Sequence, residues 1–263
     1  MKSSSDTIIT ERYNKKYNIA SKKSRKESLM KDILWAAWPW IGFGGGIAIF
    51  LLLFFTDSCR SDLIKSRWRD PVWLSWAMAD AYLIHVAEEY GIHFHNGQYD
   101  LINTFMERGI SDLFGSIPLA FFPYVNIMAT WVAFPIAAVI ARKHPVIGLS
   151  TSGFVLVNGL THIGGIRMMG LSANYGIVTG VLMFIPLFIW FVIVCRKEKL
   201  LPPKGLGIAV AGGVIGHIGL FSLYIANKFI GTTFVYFYVP VVAFLSIIAA
   251  WILCRIFHVD DRV

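Results

Sequence analysis

Apolar residues gather into seven runs, near 33–55, 71–90, 116–141, 145–165, 174–195, 205–228 and 232–255. Each run is roughly long enough to cross about 30 Å of hydrocarbon at 1.5 Å per residue of helix. Spanning strands would be shorter, would alternate apolar and polar positions, and would have to close into a barrel. The pattern therefore predicts an all-α fold, a polytopic transmembrane bundle of about seven helices. Pro39, Pro123, Pro135, Pro186 and Pro240 fall inside the runs and predict kinks, which membrane helices tolerate. The organisation expected is a basic, solvated tail over 1–32, a first spanning run with a basic loop over 33–70, a helical core over 71–230, and a last helix with a short tail over 231–263.

Polar residues interrupt three of these runs in a way that is not decorative. In the second, WLSWAMADAYLIHVAEEY, His85, Glu88 and Glu89 are spaced three and four apart and share one helix face, with Asp80 about two turns deeper. In the fourth, Asn158 and His162 repeat the four-residue spacing, and in the sixth His217 sits among glycines. An ionisable group in hydrocarbon costs roughly 2.5–3.5 kcal/mol on insertion scales, so these faces must turn toward other helices or a wet cavity. The second, fourth and sixth runs cross in the same direction. His85, His162 and His217 lie about twelve to seventeen residues from the same end, so their depths agree to within ~10 Å. One shared pocket is expected.

Composition and charge narrow the class. The chain of 263 residues is 56% hydrophobic and 15% charged, with mean hydropathy +0.60. A soluble domain would be nearer a quarter charged, so a membrane protein with lipid as its surroundings is expected. The net charge of +8 lies in the tail and connections and is not read as a nucleic-acid surface. Arg60, Lys65, Arg67 and Arg69, then Arg142 and Lys143, then Arg196, Lys197, Lys199 and Lys204 mark connections expected to be cytoplasmic. The first run conflicts with this rule, because basic segments flank it on both sides. A full span is expected there, with a re-entrant turn at Gly42–Gly46 as the alternative. Segment 91–115 is expected to hold an interfacial amphipathic helix. His93 and His95 within it read as surface histidines, with ligation at a pocket mouth as the alternative. No cleavable signal peptide is expected. Cys59, Cys195 and Cys254 form no CxxC pair and read as free thiols.

A metal site would therefore draw on imidazole and carboxylate. His85, His162 and His217 with Glu89 are the candidate ligands, and Glu88 is the candidate general acid/base, the two glutamates being exchangeable in role. Asn158 would orient the neighbourhood of His162 or polarise a substrate oxygen, and Asp80 would support the ligands from behind. A divalent ion is implied, with zinc favoured over a di-iron centre, which generally wants more carboxylates.

His85-Val-Ala-Glu-Glu89 resembles the signature of the HXXEE family of integral membrane proteins, and Asn158-Gly-Leu-Thr-His162 is similar to that family's NxxxH element. The resemblance spans about 71 to 225 and implies an enzymatic function with these motifs at the site. His217 is the candidate for a further family histidine. The pattern is not HExxH, so that class of zinc peptidase is not implied. The function expected is metal-dependent acid–base or hydrolytic chemistry on a small apolar or lipid-like substrate. A proton-coupled carrier using the same buried groups and a non-catalytic membrane scaffold are the alternatives.

Overall fold

The computed structural model describes residues 36–92, 94, 121–169 and 174–261. The expected tail, the interfacial helix of 91–115, and His93 and His95 lie outside the described residues, apart from a few positions at the start of that segment. The chain separates into Met1–Trp38 and Pro39–Val263, and the packing of the bundle and both its large cavities belong to the second unit.

The described residues are helical, without strands. The helices are α1 (Ala36–Phe55), α2 (Pro71–Tyr90), α3 (Phe121–Ile140), α4 (Pro145–Arg167), α5 (Ile177–Lys197), α6 (Pro203–Phe229), α7 (Thr232–Ala243) and α8 (Leu245–Ile256). α1, α3, α4, α5 and α6 are long and apolar enough to cross a membrane, and α7 with α8, bent by 52°, makes a sixth such unit. α2 is of spanning length but falls outside that group. Its histidine and three carboxylates lower its hydropathy, and 17 of its 20 residues are buried. Protein rather than lipid surrounds it, as polar groups in hydrocarbon require. With α2 counted, the protein is a multi-pass bundle of about seven crossings.

α1 is one uninterrupted helix, so Gly42–Gly46 make no re-entrant turn. Those glycines instead let α2 approach: a Cβ added to Gly46 would lie 3.4 Å from the Leu83 Cβ. The seventh run, expected as one helix, is divided at Phe244 into α7 and α8. Pro135 and Pro186 each follow a wider π-helical turn, Ile127–Ala133 and Gly180–Phe184. A proline lacks its amide and crowds the carbonyl four residues back, and a widened turn relieves both.

The basic connections meet at one end of the bundle. Arg67 donates to the Leu53 and Phe54 carbonyls at 2.8 and 2.6 Å and so closes the end of α1. Asp70 accepts from the Val72 and Trp73 amides through one oxygen and from Ser61 and Asp62 through the other, which starts α2 and folds the loop before it. Arg142 donates to the Arg60 and Ser58 carbonyls, and Arg69 pairs with Glu198 at 3.2 Å. Near the C-terminus, Asp261 accepts from the Val146 and Ile147 amides at the start of α4. Part of the basic charge read as an orientation signal thus satisfies backbone carbonyls.

Glycines set the closest crossings. A Cβ on Gly153 of α4 would lie 2.0 Å from the Val210 carbonyl of α6, and one on Gly213 would lie 2.3 Å from the Ser150 carbonyl. Gly212 and Gly216 meet Ser246 of α8 in the same way. Backbone-to-backbone approach of this kind replaces the hydrophobic driving force that lipid removes. Gly153→Val or Gly213→Val is expected to destabilise the protein by at least about 2–3 kcal/mol, as overpacking against immovable backbone does. Gly207→Ala, which meets open space, is expected to hold or raise stability by up to about 1 kcal/mol. Thermal unfolding of the detergent-purified protein compares them.

Candidate metal centre

α2 delivers His85, Glu88 and Glu89 to the junction of α4 and α5, and each of the three takes a different role. Glu88 is fully buried. Its carboxylate accepts from the Val178 amide at 3.0 Å, the Thr179 amide at 2.8 Å and the Thr179 hydroxyl at 2.5 Å. The first amides of a helix have no partner within it, and the residue preceding α5 is Gly176, which has no side chain to offer them. Glu88 supplies that cap from another helix, ninety residues away in the chain. Its negative charge also meets the positive end of the α5 dipole.

The same hydroxyl settles the state of His85. The Thr179 Oγ1 lies 2.8 Å from His85 Nδ1. Its single proton is directed to the Glu88 carboxylate or the Gly176 carbonyl, so toward the ring the oxygen accepts and Nδ1 carries the hydrogen. His85 Nε2 is left as a bare lone pair. It is buried without a hydrogen bond and faces the Glu89 carboxylate at 3.6 Å.

His162 reaches the same state by another route. Asn174 donates from Nδ2 to the His162 carbonyl at 2.5 Å, which fixes its amide so that Oδ1 accepts from His162 Nδ1 at 3.0 Å. The two imidazoles lie edge to face with centroids 4.8 Å apart. Gly176 lies against both rings at φ +87°, and a Cβ there would lie 2.6 Å from the His85 Cε1 and 2.8 Å from the His162 Cε1. Gly159 and Gly180 bring α4 and α5 together beside His162.

Ligand-type atoms of His85, Glu89 and His162 all lie within 4.8 Å of one another, the one such group of three or more among the described residues. The donor set suits a divalent ion: two imidazoles, the distal nitrogen of His85 without a hydrogen bond, one carboxylate, and an N–H on each ring held by an outer partner. The orphaned Nε2 of His85 is the atom that most needs such a partner.

Glu89, His162, Asn158 and His217 line a cavity of about 80 Å³, whose other walls include Tyr82, Phe121, Phe221 and Tyr224. A water needs roughly 10–15 Å³ of such space, so several small groups fit. Asn158 donates to the Tyr82 hydroxyl at 2.7 Å. His217 is packed edge-on against Phe154 and Phe221, and its Nδ1 is buried without a hydrogen bond. It was expected as a fourth ligand and stands outside the three-residue group, lining the same cavity. Asp80 does not join the group and lines a different cavity.

Residues 76–191 match the family model described as a protein of unknown function with HXXEE motif. Over that stretch the chain is similar to the HXXEE family. The HXXEE match takes in the acidic pair, Asn158 and both histidines of the group. It ends in α5, short of the expected limit near 225, so His217 lies beyond it. No curated protein and no solved structure matches the chain.

Three residues of the site were absent from the sequence reading: Asn174, Gly176 and Thr179. A glycine just ahead of an apolar run and a threonine in its first turn are ordinary helix-start signals. Nothing linear pairs them with residues ninety positions earlier. Nitrogen NMR of ring-labelled histidine is expected to show His85 and His162 protonated at Nδ1, with Thr179→Val altering the His85 signals alone. Gly176→Ala, strained at positive φ and driven into both rings, is expected to perturb the two together.

Proposed function

We propose that this protein is a membrane-embedded, metal-dependent enzyme in which His85, His162 and Glu89 hold one divalent ion. One observation carries the reading: two buried imidazoles from different helices, each with Nδ1 engaged, converge with a carboxylate, and His162 and Glu89 of that group line a cavity. Two histidines and a carboxylate make a catalytic zinc set with a position left open. Zinc is favoured over a di-iron centre because Glu88, the one further carboxylate at hand, is engaged on α5. When bound, such an ion supplies Lewis acidity at the cavity wall.

The chain's own residues do the rest. Glu88 and Thr179 orient His85, and Asn174 orients His162. The aromatic walls exclude water and favour a small apolar substrate, or the end of a lipid-like one, in a space of about 80 Å³. Asn158 and the Tyr82 hydroxyl offer the polar atoms that would orient it. The proton-carrying role first assigned to Glu88 passes to His217, an imidazole on the cavity wall outside the ligand set. Hydrolysis or another acid–base step is the chemistry these groups suit.

Metal analysis of the purified protein by mass spectrometry is expected to find about one zinc per chain. His85→Ala, His162→Ala and Glu89→Ala lose it, while His217→Ala keeps it. Thr179→Val weakens metal affinity by roughly 10–100-fold, the usual cost of losing a group that orients a ligand. Metal retained by all three ligand variants would overturn the reading. So would metal-free wild type that shows pH-dependent solute flux in proteoliposomes, which would make the protein a carrier.

A further inference from the structure

A second cavity, of about 720 Å³, opens between α1, α2 and α5. That volume suits a drug-sized molecule. Phe50 and Phe54 of α1, Trp73 of α2, Trp190 of α5 and Trp68 wall it. Phe50, Phe54, Trp68 and Trp73 form a continuous aromatic cluster, with Trp68 and Trp73 centroids 4.8 Å apart and Phe54 within 5.7 Å of both, and Trp190 donates to the Trp68 carbonyl. One acidic group lines this apolar space, Asp80. It is 4% exposed, and its Oδ1 has no hydrogen bond. Among the described residues no Lys, Arg or His forms an ion pair with it, and Arg69 at the same cavity is paired with Glu198. Asp80 takes no part in the group formed by His85, Glu89 and His162.

We propose that this cleft binds a lipophilic amine, an apolar skeleton bearing one protonated nitrogen, with Asp80 as its counter-ion. Charge complementarity selects the occupant. An ionisable group within a membrane bundle characteristically serves as the counter-charge of a ligand or of another side chain, and among the described residues no basic side chain takes that part. A plain acyl chain would fill the aromatic space and leave Asp80 without a partner. An alcohol would bring a hydrogen bond but no charge. An alkylammonium brings both, and the surrounding indole and phenyl faces attract a cation. Apart from Ser66 and the Glu198-paired Arg69, the remaining wall is apolar, so most of the ligand must be too.

Binding of radiolabelled dodecylammonium and of dodecanol to the full-length protein in nanodiscs of zwitterionic lipid tests this. The expected result is saturable binding of about one amine per chain, at least tenfold tighter than the alcohol, with a matching rise in unfolding temperature. Asp80→Asn is expected to weaken amine binding at least tenfold and leave alcohol binding unchanged, and Ala81→Trp, which fills the cleft, to abolish both. His85→Ala is expected to keep full amine binding, which separates this site from the metal centre. Equal affinity for amine and alcohol in the wild-type protein would overturn the proposal and mark an acyl-chain cleft only. Unchanged amine affinity in Asp80→Asn would overturn it as well. Should Asp80→Asn fail to fold, the amine-to-alcohol ratio in the wild-type protein decides alone.

Discussion

A carboxylate buried in a membrane bundle has to find donors, and Glu88 finds three of them at the start of α5. The helix and the acid solve each other's difficulty. α5 begins after a glycine with no side chain to cap it, and its first amides would otherwise be unpaired away from water. Glu88 would otherwise be an uncompensated charge. The bond locks α2 to α5 at one depth and in one rotation. Everything nearby inherits that register, because Thr179 stands in the first turn of α5 and His85 stands one turn before Glu88.

The two adjacent glutamates are thereby given different work. Glu88 is consumed by backbone and hydroxyl donors. Glu89, one residue and about 100° further round the helix, faces the bare nitrogen of His85 and the cavity. The Glu88–Thr179–His85 chain and the Asn174–His162 pair do the same thing: each holds the proximal nitrogen's hydrogen. Two separate hydrogen-bond routes leading to one tautomer are what a preformed ligand set requires.

The bundle can carry so polar a helix because its neighbours come close. α2 is enclosed on almost every side, and glycines allow the approach: Gly46 on α1, Gly159 and Gly180 between α4 and α5, Gly153 and Gly213 between α4 and α6. Gly176 does more than permit contact. It lies against both imidazoles at once, where any side chain would collide with the two rings. The widened turns ahead of Pro135 and Pro186 lie on the helices facing α2, so the breaks in regular helix sit next to the site rather than at random.

What was legible in the chain follows from local physics. Run length and hydropathy announce membrane helices, because the thickness of hydrocarbon sets a length and its polarity sets a composition. The cost of placing His85, Glu88, Glu89, Asn158 and His162 among apolar neighbours announces that they must gather away from lipid. Periodicity shows that they lie on definable faces. The sequence by itself therefore determined the all-helical class, the presence of helices long and apolar enough to cross a membrane, and the polar residues that gather with His85. The tertiary structure alone decided how those residues divide the work, since a hydrogen bond between Glu88 and Thr179 has no linear signature and its partners are set by the rotation of α2 against α5. For the same reason only the fold could bring in Asn174, Gly176 and Thr179, leave His217 outside the three-residue group, and set Asp80 at a separate cavity.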